Sequence, residues 1–311
     1  MTESWTAFRG DGAEPAPDLN LPPRPPWRDF AHEAPDPRWI PIGEADKRVN
    51  AALWLRRPLL VTGAPGVGKS SLARAIAAEL GLGPVLVWNI NSRATVEDAL
   101  YRYDAIGRLH DHNLRRGLFR RPPDIGPYLR LGPLGTALLP NERPRVLLID
   151  EIDKADVDLP DDLLALFETG EYEIPELARV AARQPIVEVA TADRDGRARI
   201  SDGRVRCQEF PLTILTSNGE REFSPAFLRR CIRLQLPDPD PAQLEAIVEA
   251  RLAGHLDRDI LNRFVAARED GTRATDQLLS ALYLRSHDVR EREWSLADLE
   301  RAVFHALDRT A

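Results

Sequence analysis

The chain has little of several things, and each scarcity closes off a class of protein. Its two cysteines, Cys207 and Cys231, cannot build a disulfide framework. Neither stands at metal spacing from a second thiol or a histidine, so the pattern fits a reducing compartment. No apolar stretch approaches the ~18 residues of a membrane-spanning helix. The opening MTESWTAFRGDG has no basic region followed by an apolar run, so no secretory signal is expected and a cytoplasmic location is. Positive charge is not in surplus either. The formal net charge is −7, which argues against a general nucleic-acid binder, since such proteins neutralise phosphates with excess Lys and Arg. Lysine itself is rare: Lys and Arg total 42, and only Lys47, Lys69 and Lys154 are lysine. A lysine inside a chemically meaningful pattern is therefore hard to put down to chance.

What is there reads as a globular protein. With 311 residues, 43% hydrophobic and 29% charged, the chain can hold one large domain or two modest ones. Residues 1–41 carry nine of the 26 prolines and read as an extended arm, with Trp5, Trp27 and Trp39 available to pack on a neighbouring surface. From 42 to 236 short apolar runs (RPLLVTG, GPVLVWNI, RPRVLLIDE, FPLTILTSN) alternate with helical segments, which predicts an α/β domain on a parallel sheet covered on both faces. The helix after RPLLVTG, KSSLARAIAAEL, places Leu72, Ile76 and Leu80 on one stripe and Gly81 just past its end. Turn signals in VEVATADRDGRARISDGRVRCQ predict a β-hairpin insertion. Residues 237–311 read as four amphipathic helices with Asp, Thr or Ser at their N-caps, forming a small all-α lid domain.

Three motifs carry chemistry. GAPGVGKS comprises Gly63, Ala64, Pro65, Gly66, Val67, Gly68, Lys69 and Ser70, with Ser71 following. It has the glycine spacing of a phosphate loop between a strand and a helix. Its glycines let backbone N–H groups converge on an anion, Lys69 reaches the terminal phosphates, and Ser70 holds Mg²⁺. VLLIDE ends a buried strand in Asp150 and Glu151. Beside a phosphate loop, Asp150 serves the metal and Glu151 activates water, so the reaction is ATP hydrolysis. LTILTSN ends another strand in Asn218, a neutral group able to orient that water. The acids after Glu151, in DKADVDLPDDLL, carry no assigned chemistry. HDH at 110–112 reads as surface loop, and the basic RRGLFRRPPD as a solvated insertion.

In this order the motifs, a double arginine at Arg229 and Arg230, and a helical C-terminus resemble an AAA+ ATPase over residues 42–311. The segments DEIDKA, DLLALFETGEYEIPE and YLRLGPLGTALLPNERPRVLLIDE, with the hairpin before Asn218, are most similar to the MoxR-like group. The resemblance implies ATP and Mg²⁺ as ligands and a homo-oligomeric ring, by analogy a hexamer. It makes Asn218 a first sensor and Arg230 the better candidate for an arginine finger. Arg229 is the alternative for that role, because the usual Asp-Arg-Phe triplet reads Arg-Arg-Cys here. GTRATDQLL resembles a second-sensor helix and so places Arg273 at the γ-phosphate. Relatives remodel partner proteins, often with von Willebrand factor A-domains, and some occur in bacterial conflict systems. A nucleic-acid motor or loader and a slow nucleotide-held assembly switch are the rival readings.

Overall fold

In the computed structural model the described residues are 23–29, 39–114, 124–268, 273–287 and 303–304. Outside them lie the arm at 1–22 and 30–38, the basic stretch 115–123 and most of the fourth C-terminal helix. The described chain divides into two compact units. One holds residues 41–63 and 68–237. The other holds the described residues up to 40, the short segment Ala64–Val67, and those from 238 onward.

The first unit begins with α1 (Ala45–Leu55), β1 (Leu59–Thr62), α2 (Lys69–Leu80) and β2 (Leu86–Asn89). Then follow α3 (Val96–Leu100), β3 (Tyr101–Tyr103), α4 (Ala105–Leu114), β4 (Leu129–Leu131), α5 (Pro133–Ala137) and β5 (Val146–Asp150). The chain continues through α6 (Leu159–Thr169), β6 (Glu171–Glu173), α7 (Pro175–Ala178), β7 (Ile186–Ala190), β8 (Arg197–Ser201) and β9 (Arg204–Arg206). It closes with β10 (Leu212–Ser217), α8 (Pro225–Arg230) and β11 (Ile232–Gln235).

Five strands form a wholly parallel sheet in the order β11-β1-β10-β5-β2. All of β10 is buried, as is β5 up to Asp150. That explains their unbroken apolar sequences, since a parallel sheet covered by helices has no wet face to mark with alternation. The predicted α/β architecture and the hairpin are both present.

A second sheet, in the order β3-β4-β7-β8-β9-β6, goes beyond the sequence reading. The hairpin β7–β8 was legible from its turn residues. The three-residue strands YRY, LRL and EYE were not, because so short a run shows no periodicity. The hairpin's turn is tied to the main sheet. Arg145, just ahead of β5, donates two hydrogen bonds to Asp193 at 3.0 and 2.8 Å, which holds the Asp193 carboxyl below the usual carboxylate range.

Two smaller expectations need correction. Leu80 does not share the buried stripe: it is the last residue of α2 and 38% exposed, while Ala73 and Ala77 complete the buried face with Leu72 and Ile76. His110 and His112 lie in α4 rather than in a loop. Among the described residues, no group of three or more His, Cys, Asp or Glu side chains could hold a metal on its own, and no helix is long and apolar enough to cross a membrane.

The other unit contains α9 (Pro241–Arg251), α10 (Arg258–Arg268) and α11 (Thr275–His287). Asp240 caps α9 in a reciprocal box with Gln243. Asp257 accepts from the Asp259 and Ile260 N–H groups at the start of α10. The core includes Leu244, Val248, Phe264, Leu278 and Leu282. Trp27 of the proline-rich arm meets Tyr283 edge-on, with ring centroids 5.9 Å apart.

Candidate functional site

Sheet order brings the three motifs together. Parallel pairing sets Thr62 of β1 beside Ser217 of β10, and Leu215 of β10 beside Ile149 of β5. Gly63, Asn218 and Asp150 therefore leave the sheet at one edge, the carboxyl ends of adjacent strands, where open α/β sheets bind ligands. The loop after β1 takes positive φ at Gly63, Gly66 and Gly68 (157°, 75° and 99°), a sequence of angles that residues with a Cβ adopt only under strain. Ala64, Pro65 and Val67 lie in the same loop, and Ser70 and Ser71 fall in the first turn of α2.

Lys69 is 8% exposed. Its ammonium donates to the Gly63 carbonyl and to Asn218 Oδ1, each at 2.7 Å. Burial lowers its pKa, and the carboxylates of Asp153, Asp150 and Glu151 pull the other way. Ser70 Oγ donates to Asp150 Oδ1 at 2.7 Å. Thr216 adds a second hydroxyl to the same oxygen, at 2.6 Å, and accepts the Glu151 N–H at 2.9 Å. Glu151 itself sits at φ 62°. Its side chain is half exposed and paired with Lys154 at 2.8 Å.

The sequence reading did not single out Thr216 or Asp153. Asp153 is 6% exposed, and its Oδ2 accepts from Ser217 Oγ (3.0 Å), the Asn218 N–H (2.8 Å) and the Glu220 N–H (3.2 Å). The available signal was the pair of polar residues, Thr216 and Ser217, ending a strand that is otherwise apolar.

An open groove of about 840 Å³ lies along β11 and β1, lined by Arg48, Leu60, Thr62, Ser217, Phe223 and Leu234 among others; Lys69, Ser70, Asp150, Glu151 and Asn218 are not part of its lining. Its size lies within the range of small-molecule sites.

The two arginines of α8 differ. Arg230 donates twice to the Glu168 carboxylate of α6, at 2.7 Å from Nε, and also to the Ala226 carbonyl at 3.3 Å. Arg229 is exposed. Arg273 belongs to the other unit, just ahead of α11, where its guanidinium donates to the Ala267 carbonyl. Cys207 and Cys231 are both free thiols, and burial pushes Cys231 up to about 12.

Comparison with known proteins gives one family. Residues 58–231 match the family model described as "AAA domain (dynein-related subfamily)". No curated protein sequence matches the chain. Among solved structures, NtrX from Brucella abortus in complex with ADP is similar at 16% identity, with a TM-score of 0.44, over 88% of this chain and 57% of that one.

Proposed function

Because the chain belongs to the AAA domain family, dynein-related subfamily, and so is an AAA+ ATPase, we propose that it works as a MoxR-like ring that spends ATP hydrolysis on remodelling a partner protein. The observation that carries the site assignment is the Lys69 ammonium. It is buried at the loop and held 2.7 Å from both Gly63 and the strand-end Asn218, beside the Ser70–Asp150 pair.

In this reading the backbone N–H groups of residues 63–70, other than Pro65 which has none, and the Lys69 ammonium hold the phosphates. Ser70 and Asp150 fit Mg²⁺: an all-oxygen donor pair suits a hard cation that completes its shell with phosphate and water. When bound, that ion supplies positive charge against the phosphate oxygens. Glu151 takes a proton from water as the water oxygen bonds to the γ-phosphorus and the bond to the β-phosphate oxygen breaks, releasing ADP and phosphate. Asn218 orients the water and Arg273 senses the γ-phosphate.

A second subunit offers a guanidinium across the seam. Arg230 is committed to Glu168 within its own chain, which moves the preference from Arg230 to the exposed Arg229. The ring is a hexamer by analogy and works in the cytoplasm. Its client is a partner protein such as one with a von Willebrand factor A-domain, within a bacterial conflict or defence system. Resemblance supports these last points.

Glu151→Gln tests the hydrolytic assignment. It should keep ATP affinity within about threefold and lower kcat by a factor of about 10²–10⁴, the usual contribution of a positioned base. Turnover near the unmodified rate would remove Glu151 from that role.

A further inference from the structure

We propose that Asp153 is a positioning residue for hydrolysis that acts through Asn218. The inference deepens the ATPase reading above and rests on it.

Asp153 lies one short turn beyond the acidic pair, in the segment Ile152–Lys154. It is a buried carboxylate in a place where buried charge is costly unless matched by donors. Three donors reach one of its two oxygens, while Oδ1 is buried with no hydrogen-bond partner among the described residues. Ser217 Oγ–H, the Asn218 N–H and the Glu220 N–H all converge on Oδ2 at 2.8–3.2 Å. Hydrogen bonds to an ionised acceptor are roughly twice as strong as neutral ones. The Gly219 N–H in turn donates to Ser217 Oγ at 3.0 Å, so residues 217–220 fold round a single carboxylate oxygen.

That turn carries Asn218, whose amide oxygen accepts from Lys69 at 2.7 Å. The placement of the amide is therefore set at its backbone by Asp153. A reciprocal bond runs the other way. Thr216, one residue before this turn, holds Asp150 and the Glu151 N–H. The two adjacent hydroxyls of LTILTSN thus serve two carboxylates three residues apart, Thr216 to Asp150 and Ser217 to Asp153. Each strand end fixes the other, and the two groups that must meet water, Glu151 and Asn218, are locked in one frame. Catalysis of phosphoryl transfer is mostly positioning and charge stabilisation, so a shift of about 1 Å at Asn218 has a kinetic cost even where nothing that touches ATP has changed.

A loop cap with no kinetic role would show the same hydrogen bonds, so the test must separate coupling from stability. We would measure ATPase kinetics of the full-length protein, at a concentration that assembles it, for Asp153→Ala, Asn218→Ala and the double variant. The expected result is a fall in kcat of about 10- to 50-fold for each single variant, with KM for ATP within about threefold. The double variant should fall no more than about twofold below the slower single variant, because residues in one network are not additive.

Losses that multiply, or a normal kcat in Asp153→Ala or Asn218→Ala, overturn the inference. If Asp153→Ala does not fold, Asp153→Asn takes its place in the cycle. It keeps an oxygen acceptor, so its own loss should be under about fivefold, and this loss should vanish in the Asn218→Ala background. An assembled wild-type protein that turns over no ATP overturns the hydrolase reading and Asp153 with it. Failure of the cycle against an active wild type overturns Asp153 alone.

Discussion

Lys69 concentrates the site's electrostatics in one side chain. Burial works against its charge, and three carboxylates work for it. A unit charge about 4 Å from a phosphate oxygen is worth about 4 kcal/mol at an effective dielectric constant near 20, which is more than two decades of affinity. Lys69→Met keeps most of the apolar stem and removes the charge. It should weaken binding of a fluorescent ATP analogue by at least about 100-fold while leaving the thermal melt nearly unchanged. Binding within about threefold of the parent would take Lys69 out of the phosphate site.

Lys69, Ser70, Asp150, Glu151 and Asn218 were all legible in the sequence, because each stands in a short motif at the end of an apolar run. Thr216 and Asp153 were not. Ser217 and Asp153 are 64 positions apart, and the meaning of such a pair depends on β10 lying next to β5, a neighbourhood that no local pattern encodes. Asp153 was also masked by company, since it opens a run of acids most of which are solvated. The Glu168 partner of Arg230 was hidden for the same reason: α6 and α8 meet only in the folded chain.

At the scale of elements, the main sheet was readable and the second sheet was readable only at its hairpin. The edge of that second sheet depends on a close backbone approach at Gly203, in the turn joining β8 to β9. Gly203 has φ 72°, and its carbonyl accepts the Ile174 N–H at 2.7 Å. A Cβ there would lie 2.4 Å from the Ala178 nitrogen and 2.9 Å from the Ile174 oxygen. Gly83 is the natural control. It has φ 77°, yet a Cβ would meet nothing within 4 Å. Gly83→Ala should therefore cost only the left-handed penalty of about 1–2 kcal/mol. Gly203→Ala incurs that penalty and must also push α7 away from the sheet edge. We expect its fall in melting temperature to be at least about twice that of Gly83→Ala. Equal falls would mean that the contact between α7 and the β8–β9 turn yields freely, and that this edge does not brace the sheet.

For the whole molecule the question is whether a single chain is a complete enzyme. Asp150, Glu151, Lys69 and Asn218 come from one sheet edge, but the arginines of α8 follow β10 and precede β11, and Arg230 is already paired with Glu168. An arginine supplied in trans is worth about 10³–10⁵ in phosphoryl-transfer rate, so if a neighbour supplies it, specific activity should collapse on dilution below the assembly concentration. Mixing variants decides the direction of supply. Glu151→Gln subunits lack the proposed base of their own site and still offer both arginines. Arg229→Ala subunits keep Glu151 and lack the exposed guanidinium. Each alone should be nearly inactive. Mixed, they form seams in which an intact base faces an intact arginine, and activity should rise well above the sum of the two. If the arginine acts within its own chain, no seam is complete and the mixture stays inactive. Repeating the mixture with Arg230→Ala assigns the role. Rescue confined to the Arg229→Ala mixture, with Arg230→Ala alone still active, makes Arg229 the finger and leaves Arg230 as the anchor that ties α8 to Glu168. The opposite pattern would require the Arg230–Glu168 pair to open as subunits meet, and a Glu168→Gln variant should then assemble and turn over faster than its parent.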